Sequence, residues 1–251
     1  MVKLVLLGTS YAVPDEKHEN THMALVGGNG TVLIDCAANP VVRMQRAGLR
    51  LEALSDLILT HFHPDHLCGA PLLLMDLWLL GRQMPLRMHG LDHCLDRMEN
   101  LMTMFDWEQW PAFFPTAFQR VPERENALVL DNPDFTITAS PVQHLIPTFG
   151  LRVESKSTGK VLAYSCDTEP CDAVKRMAAG ADVLIHDAAG AGIGHSSAAQ
   201  AGCIAHDAGV KTLYLIHYKT GQHDPGPLVQ EARRNFQGKV VLAEDLMEIE
   251  I

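Results

Sequence analysis

Three histidines and one aspartate lie within a single hexapeptide, His61-Phe62-His63-Pro64-Asp65-His66. Neutral imidazole and carboxylate are the ligands that zinc and similar divalent cations prefer. The hexapeptide follows the apolar run 57–59, which is typical of a buried strand. In an extended strand end, His61 and His63 project to the same side, and Pro64 then stops the strand. The turn that follows lets Asp65 and His66 point at a second position, so the hexapeptide predicts half of a metal site.

Residues of the same types follow three later apolar runs. His144 comes after the run 134–142, Asp167 follows 161–166, and His217 follows 212–216. Taken alone, each is better explained as an ordinary hydrogen-bonded polar residue at a strand end. One histidine or aspartate after each strand instead favours further metal ligands, because two ions need more ligands than the hexapeptide offers.

The composition is that of a globular enzyme, with 251 residues, 47% of them hydrophobic, and 13 histidines. The formal net charge of −10 predicts repulsion from nucleic acid and anionic membranes. The longest apolar run, 71–80, contains Asp76 and is too short to span a bilayer, and residues 1–8 are too short for a signal peptide. Six cysteines without a Cys-x-x-Cys pair favour reduced thiols and a cytoplasmic protein.

Turn residues divide the chain into short segments, which we assign by their apolar period. β-like runs cover 2–7, 23–26, 31–35, 56–60, 85–89, 127–130, 134–142, 148–154, 160–165, 182–187, 211–216, 239–243 and 246–250. Helix-like runs cover 40–49, 67–80, 91–105, 170–179, 196–208 and 227–236. No stretch has the composition of a linker, so residues 1–251 are predicted to form a single domain. Two sheets with helices outside fit this order better than one parallel sheet.

Methionine and aromatic side chains are dense in residues 98–118. A packed core segment is the preferred interpretation, with a substrate pocket or a homodimer contact as alternatives.

The motif His-x-His-x-Asp-His at 61–66, with Gly69 after it, resembles the signature of the metallo-β-lactamase superfamily. This resemblance implies an α/β fold, the four-layer αβ/βα sandwich, in which two mixed β-sheets pack face to face with helices outside. It also implies two divalent metal ions between the sheets, zinc in the first place, with manganese or iron as alternatives. His61, His63 and His144 would hold one ion, Asp65, His66 and His217 the other, and Asp167 would bridge them. Asp35 matches the aspartate that orients a ligand histidine in the family.

Within the superfamily, the chain is most similar to ribonuclease Z and related phosphodiesterases. The segment Leu7-Gly8-Thr9 and the segments at 147–150 and 165–168 are similar to theirs. Residues 185–188 resemble a His-Glu-Ala-Thr box with aspartate in place of glutamate, and 194–198 resemble a His-Ser-Thr loop. Lactonases, glyoxalase II and class B β-lactamases are not expected to carry both of the last two motifs.

The resemblance implies a phosphodiesterase that uses a metal-bridging hydroxide, which Asp65 positions. His195, held by Asp187, is the candidate donor of a proton to the leaving alkoxide. Without the resemblance, His195 would be assigned to a helix N-terminus beside a capping Ser196. His22 and His223 are interpreted as structural or surface residues, with a place at the mouth of the pocket as the alternative.

Two departures from ribonuclease Z bear on the substrate. Residues 37–40 differ from the family's Gly-Glu-Gly-Thr, and only a predicted hairpin separates His144 from Asp167, where ribonuclease Z inserts a long arm that grips tRNA. We therefore expect a small or flexible phosphodiester as the substrate. A ribonuclease Z-type tRNA 3′ endonuclease is the first alternative, a lactonase or other carboxylic ester hydrolase the second, and a non-catalytic metal-binding protein the third.

Overall fold

The computed structural model describes residues 2–251. The strands within this range are β1 (Lys3–Gly8), β2 (His22–Val26), β3 (Thr31–Ile34), β4 (Leu54–Ile58), β5 (Leu86–Gly90), β6 (Thr116–Arg120), β7 (Ala127–Asp131), β8 (Phe135–Pro141), β9 (Phe149–Ser155), β10 (Val161–Tyr164), β11 (Val183–Asp187), β12 (Thr212–Ile216), β13 (Lys239–Leu242) and β14 (Glu248–Glu250). The helices are α1 (Pro40–Arg46), α2 (Pro64–Leu67), α3 (Ala70–Leu79), α4 (Asp92–Thr103), α5 (Asp172–Met177), α6 (Ala198–Asp207) and α7 (Gly226–Arg233).

The strands form two seven-stranded sheets with the orders β14-β1-β2-β3-β4-β5-β6 and β13-β12-β11-β10-β9-β8-β7. Each sheet begins as an antiparallel meander, β1 to β3 or β7 to β10, and continues with parallel strands. Strand β14 returns to the first sheet and pairs antiparallel with β1. The predicted mixed sheets, one from each half of the chain, are confirmed.

Successive side chains along a strand face opposite sides of its sheet, and this alternation produces the layers of the fold. Leu4 and Leu6 of β1 lie in the core between the two sheets, whereas Val5 and Leu7 pack against the outer helices of the first sheet. In β10, Tyr164 likewise faces the inner core and Ala163 faces the outer helices of the second sheet. The molecule therefore has the predicted αβ/βα order of four layers.

Two segments differ from the sequence-based assignment. Strand β6 was not predicted, because it is a partly exposed edge strand whose residues show no apolar alternation. The helix expected over 67–80 is divided into α2 and α3 at Gly69. A Cβ atom at Gly69 would lie 2.8 Å from the carbonyl oxygens of residues 36–38, so only glycine allows this close approach of two loops.

The aromatic segment 98–118 packs mainly within the chain. The rings of Trp78 and Trp110 stack with their centroids 5.0 Å apart, and Trp107 contacts Phe113 and Phe118 edge-on. Met104 and Phe105 stay exposed. The packed interpretation is confirmed for most of these side chains, and a homodimer stays a prediction. None of the helices within residues 2–251 combines the length and apolar character that crossing a bilayer requires.

A buried ionic network joins the parallel strands β4 and β5. Asp56 is fully buried and accepts hydrogen bonds from Arg87 Nε at 2.7 Å and Nη2 at 2.8 Å, and from Ser55 Oγ at 2.7 Å. His89 Nε2 lies 2.7 Å from its carboxylate. Burial raises the pKa of Asp56, but the hydrogen bonds from His89, Arg87 and Ser55 outweigh it and lower the pKa to about 2.

Asp56→Asn is expected to reduce the free energy of unfolding by about 3 kcal/mol at pH 7, because it leaves buried donors facing an amide. The carboxylate stabilises the fold fully above its unfolded pKa of about 3.9, and this contribution is lost as the pH falls towards 2. Urea unfolding of both proteins between pH 7 and pH 3 measures the difference, which should shrink below pH 4. Asp172→Asn, at a side chain 76% exposed, is the control; an equal loss there would contradict the expectation.

Candidate metal centre

The hexapeptide 61–66 lies where the fold turns from β4 into α2. The backbone N–H and the hydroxyl of Thr60 both donate to Asp35 Oδ1 at 2.9 Å, which fixes the start of the turn. Pro64 begins α2 directly after His63, so the chain bends between the second and third histidines. On the far side of the bend, His66 Nδ1 donates to Asp35 Oδ2 at 2.9 Å. Asp35 therefore holds both ends of the hexapeptide.

Three strands that border the site end in residues with left-handed backbone conformation. Asp35 follows β3 with φ 59°, Cys166 follows β10 with φ 55°, and His217 follows β12 with φ 57°. Residues other than glycine rarely adopt this region, and it concentrates at functional sites. The sharp turns direct Asp35, Asp167 and His217 towards one place at the edge where the two sheets meet.

His61, His63 and His144 form the first group of candidate ligands. His63 Nδ1 lies 3.1 Å from Nε2 of both other histidines. His144 Nδ1 lies 2.7 Å from the carbonyl oxygen of Gly194, which only accepts, so Nδ1 carries the hydrogen and Nε2 a lone pair. The Thr60 hydroxyl donates to Asp35 and thus accepts from His61 Nδ1 at 3.1 Å, which leaves a lone pair on His61 Nε2 as well. At most one ring hydrogen can lie among the three facing nitrogens, an arrangement that suits a cation.

Asp65, His66, Asp167 and His217 form the second group. Asp167 Oδ2 lies 3.3 Å from His66 Nε2, 3.4 Å from His217 Nε2 and 4.0 Å from His61 Nε2. Asp65 Oδ2 lies 3.4 Å from His217 Nε2. Asp167 therefore stands between the two groups. These are the seven residues that the sequence singled out, and the structure brings all of them together; their role as ligands stays a prediction.

Unpartnered buried atoms show that the groups fit divalent ions. His66 donates through Nδ1, so its Nε2 carries a lone pair, and this atom has no hydrogen-bond partner despite the carboxylate nearby. Asp167 Oδ1 is also buried without a partner. Buried lone pairs without donors are costly, and metal coordination satisfies both at once.

The electrostatics point the same way. Burial lowers the pKa of His217, but the carboxylates of Asp167, Asp187 and Asp65 outweigh it and raise the pKa to about 10. Burial raises the pKa of Asp167, but the imidazoles of His217 and His66 hold it well below its ordinary value. A site that binds a proton this firmly has strong negative potential, which attracts a divalent cation in the proton's place.

Asp187 and His195 lie beside the second group. His195 Nδ1 lies 3.2 Å from Asp187 Oδ2, and its ring stacks on that of His217 with centroids 5.4 Å apart. Asp187 also accepts from the backbone N–H groups of Ser196 at 2.9 Å and Ala189 at 3.0 Å, so its position is fixed by the loop itself. Burial lowers the pKa of His195, but Asp187 outweighs this and raises it above its ordinary value.

The cap of α6 differs from the sequence-based interpretation. Ser197, not Ser196, caps the helix, in a reciprocal capping box with Gln200. The hydroxyl of Ser196 donates instead to the carbonyl oxygen of Thr168 at 2.7 Å, which joins the loop of His195 to the strand end that carries Asp167.

Three other histidines lie away from the centre of the site. His22 is fully buried, and its Nδ1 donates to the carbonyl oxygen of Asn20, as a structural residue would; it does not line the cavity over the site. His186 is fully buried, and its Nδ1 donates to the carbonyl oxygen of Asp187 at 2.9 Å. His223 lies on a neighbouring surface cavity together with Asp15 and Asp224.

A cavity of about 380 Å³ opens over both groups. The described residues that line it are Tyr11, Ala12, His63, Asp65, Asp167, Ala189, Gly190, Ala191, Gly192, His195, His217 and Lys219. Sequence reasoning missed Tyr11 and Lys219, because neither belongs to a ligand pattern. A larger cavity of about 530 Å³ lies at the opposite end of the first sheet and contains none of the candidate ligands.

The segment between His144 and Asp167 is the predicted hairpin. Strands β9 and β10 pair antiparallel and are joined by a tight turn at 156–160. Nothing in this described segment projects as an arm.

Comparison with known proteins agrees with the fold. A family model for the beta-lactamase superfamily domain matches residues 30–218. Ribonuclease Z of Methanothermobacter thermautotrophicus is 28% identical over 306 aligned positions, which cover all of this chain and 97% of that protein. Because 306 positions exceed the 251 residues here, that protein carries segments that this chain lacks.

Two solved structures share the architecture. The metallo-beta-lactamase fold protein YhfI from Bacillus subtilis superposes with a TM-score of 0.84 at 21% identity, covering 100% of this chain and 99% of that chain. The short form of human tRNase Z superposes with a TM-score of 0.80 at 22% identity, covering 99% of each chain. The chain therefore belongs to the metallo-β-lactamase superfamily, as its hexapeptide predicts, and is a metal-dependent hydrolase related to ribonuclease Z.

Proposed function

We propose that the protein is a dinuclear metal-dependent phosphodiesterase that acts on a small or flexible substrate. The observation that carries this proposal is the pair His195 and Asp187, joined at 3.2 Å, on the wall of the cavity that also exposes both groups of candidate ligands. A proton donor beside a cation site is what cleavage of a diester with an alkoxide leaving group requires.

Two divalent ions, zinc in the first place and manganese or iron as alternatives, would occupy the two groups. His61, His63 and His144 would hold one ion, Asp65, His66 and His217 the other, and Asp167 would contact both. When bound, such ions lower the pKa of water towards neutrality and neutralise the oxygens of the attacked phosphoryl group.

The protein residues then have distinct tasks. Asp65 lies on the cavity wall and accepts a hydrogen bond from the attacking water. This hydrogen bond orients the water so that a lone pair of the water oxygen faces the phosphorus atom. Asp187 occupies Nδ1 of His195, so Nε2 is the ring nitrogen left to give a proton to the leaving oxygen. Asp187 also stabilises the charged imidazole before the transfer, since it raises the pKa of His195.

The size and charge of the site favour a small substrate. A cavity of about 380 Å³ is within the range of small-molecule sites, which is roughly 300–1,000 Å³. The chain has a net charge of −10 and the tight hairpin β9–β10 in place of an arm. It therefore offers few positively charged contacts to the phosphates of a folded RNA.

A ribonuclease Z-type tRNA 3′ endonuclease is the second candidate. The similarity to ribonuclease Z of Methanothermobacter thermautotrophicus along the whole chain favours it. In both candidate functions the same residues of this chain would break a phosphodiester bond. The two functions differ only in the contacts that bind the rest of the substrate.

One panel separates the candidates. Zinc- or manganese-loaded protein should cleave bis(p-nitrophenyl) phosphate, and it should show little specific cleavage of a precursor tRNA at nanomolar protein concentration. Accurate 3′ cleavage of the tRNA would establish the second candidate instead. Turnover of lactones that exceeds diester turnover by orders of magnitude would show a carboxylic ester hydrolase and contradict both.

A further inference from the structure

Lys219 is the one lysine or arginine among the described residues that line the cavity. Its side chain is exposed, and within residues 2–251 no carboxylate lies within 4.0 Å of its ammonium group. Ten of the 20 lysines and arginines have a carboxylate within 4.0 Å, as Lys211 has in Asp182 at 2.6 Å. Lys219 thus presents an uncompensated positive charge to whatever enters.

The backbone around Lys219 is anchored on both sides. The carbonyl oxygen of Tyr218 accepts from the N–H of Tyr11 at 3.1 Å, and the hydroxyl of Thr220 donates to the carbonyl oxygen of Val13 at 3.0 Å. Gly221 N–H donates to Asp15 at 2.8 Å. Tyr11 and Lys219 therefore lie on one wall of the cavity whose backbone is already fixed, and only the Lys219 side chain has to be ordered when a ligand binds.

The facing wall is the loop 189–192, which has no side chain larger than a methyl group. A Cβ atom at Gly190 would lie 3.9 Å from Nζ of Lys219, so the ammonium group points across the opening towards bare backbone. Gly190 has φ 116°, a conformation that glycine adopts without strain. Nζ of Lys219 lies against this loop, and no side chain longer than a methyl group covers it there, so a compact anionic group that enters the cavity can reach the ammonium group.

We infer that Lys219 is a specificity residue that binds a second phosphate of the substrate, separate from the phosphodiester that is cleaved. The inference rests on the proposed function, because in that function the ions held by the two groups of candidate ligands bind the phosphate that is cleaved. The substrate class that follows is a small diester that carries a further phosphate, such as a nucleotide with two phosphoryl groups. Tyr11 adds an aromatic side chain to the same cavity.

Binding of three thymidine nucleotides to the zinc-loaded protein tests the inference. The 5′-monophosphate is the reference, and the 3′,5′-bisphosphate and the 5′-diphosphate place the second phosphate at two different positions. Calorimetry should show that at least one of the two doubly phosphorylated probes binds at least tenfold more tightly than the reference. In Lys219→Met this advantage should fall to less than threefold, whereas Lys219→Arg should keep most of it.

Lys17→Met is the matched control, because Lys17 is an exposed lysine near the site that does not line the cavity. It removes the same charge and should keep the tenfold advantage. Equal binding of all three nucleotides to the wild type, or an advantage that survives in Lys219→Met, would overturn the role of Lys219.

The outcome is independent of turnover, since only binding is measured. If the wild type cleaves no diester, the phosphodiesterase proposal fails, while loss of the advantage in Lys219→Met still establishes the phosphate contact. If diesters are cleaved and the advantage is absent, only the role of Lys219 fails.

Discussion

Replacing His195 by alanine is expected to slow cleavage of thymidylyl-thymidine about 10²- to 10⁴-fold in kcat, with the metal content unchanged. The leaving group of this dinucleotide is an alkoxide, which needs a proton as the bond breaks. His195 is the donor because Asp187, 3.2 Å away, fixes its ring and raises its pKa.

A second substrate separates proton donation from a structural effect. The leaving group of bis(p-nitrophenyl) phosphate is weakly basic and departs without a proton, so His195→Ala should affect it far less. Equal losses on both substrates would contradict the role of a proton donor, and loss of metal would show that His195 is a ligand. His206→Ala, at an exposed histidine in the last turn of α6, is the control and should behave as the wild type.

Asp167→Asn is expected to release at least one metal ion and to weaken metal binding by more than about 100-fold. The buried carboxylate of Asp167 lies 3.4 Å from His217 of the second group and 4.0 Å from His61 of the first group, so it is the residue placed to contact both ions. The amide keeps the shape of the side chain and removes its charge. Elemental analysis after dialysis measures the metal content of each protein.

Asp172→Asn is the control for this measurement, because its carboxylate is exposed and belongs to neither group of candidate ligands. It should retain two ions per chain. Two ions retained in Asp167→Asn would refute the bridging position, and unchanged folding by circular dichroism would exclude general unfolding as the cause of a loss.

Much of the site was predictable because ligand-type residues directly follow apolar strands. The hexapeptide 61–66, Asp167 and His217 each come after a buried run. Strands β10 and β12 run parallel in the second sheet, so their ends lie at one edge, and the end of β4 in the first sheet meets them there. Short apolar runs likewise predict the two sheets, since strands such as β1 and β10 bury both of their faces between layers.

Other features leave no local signal. Edge strand β6 buries too little to alternate, and the helix break at Gly69 depends on a contact with residues 36–38 that are distant in sequence. The left-handed conformation of Cys166 is imposed by the surrounding structure, because cysteine does not favour it. Lys219 reaches the cavity only because its loop is fastened to the loop of Tyr11.

Two divalent ions, held by the two groups of candidate ligands, are proposed to hydrolyse a phosphodiester at this site. The most direct test is the initial rate of bis(p-nitrophenyl) phosphate cleavage as zinc or manganese is added to metal-free protein. We expect no turnover without metal and a rate that rises until two equivalents per chain are bound. The absence of turnover with zinc, manganese and iron, at full occupancy by elemental analysis, would contradict the account.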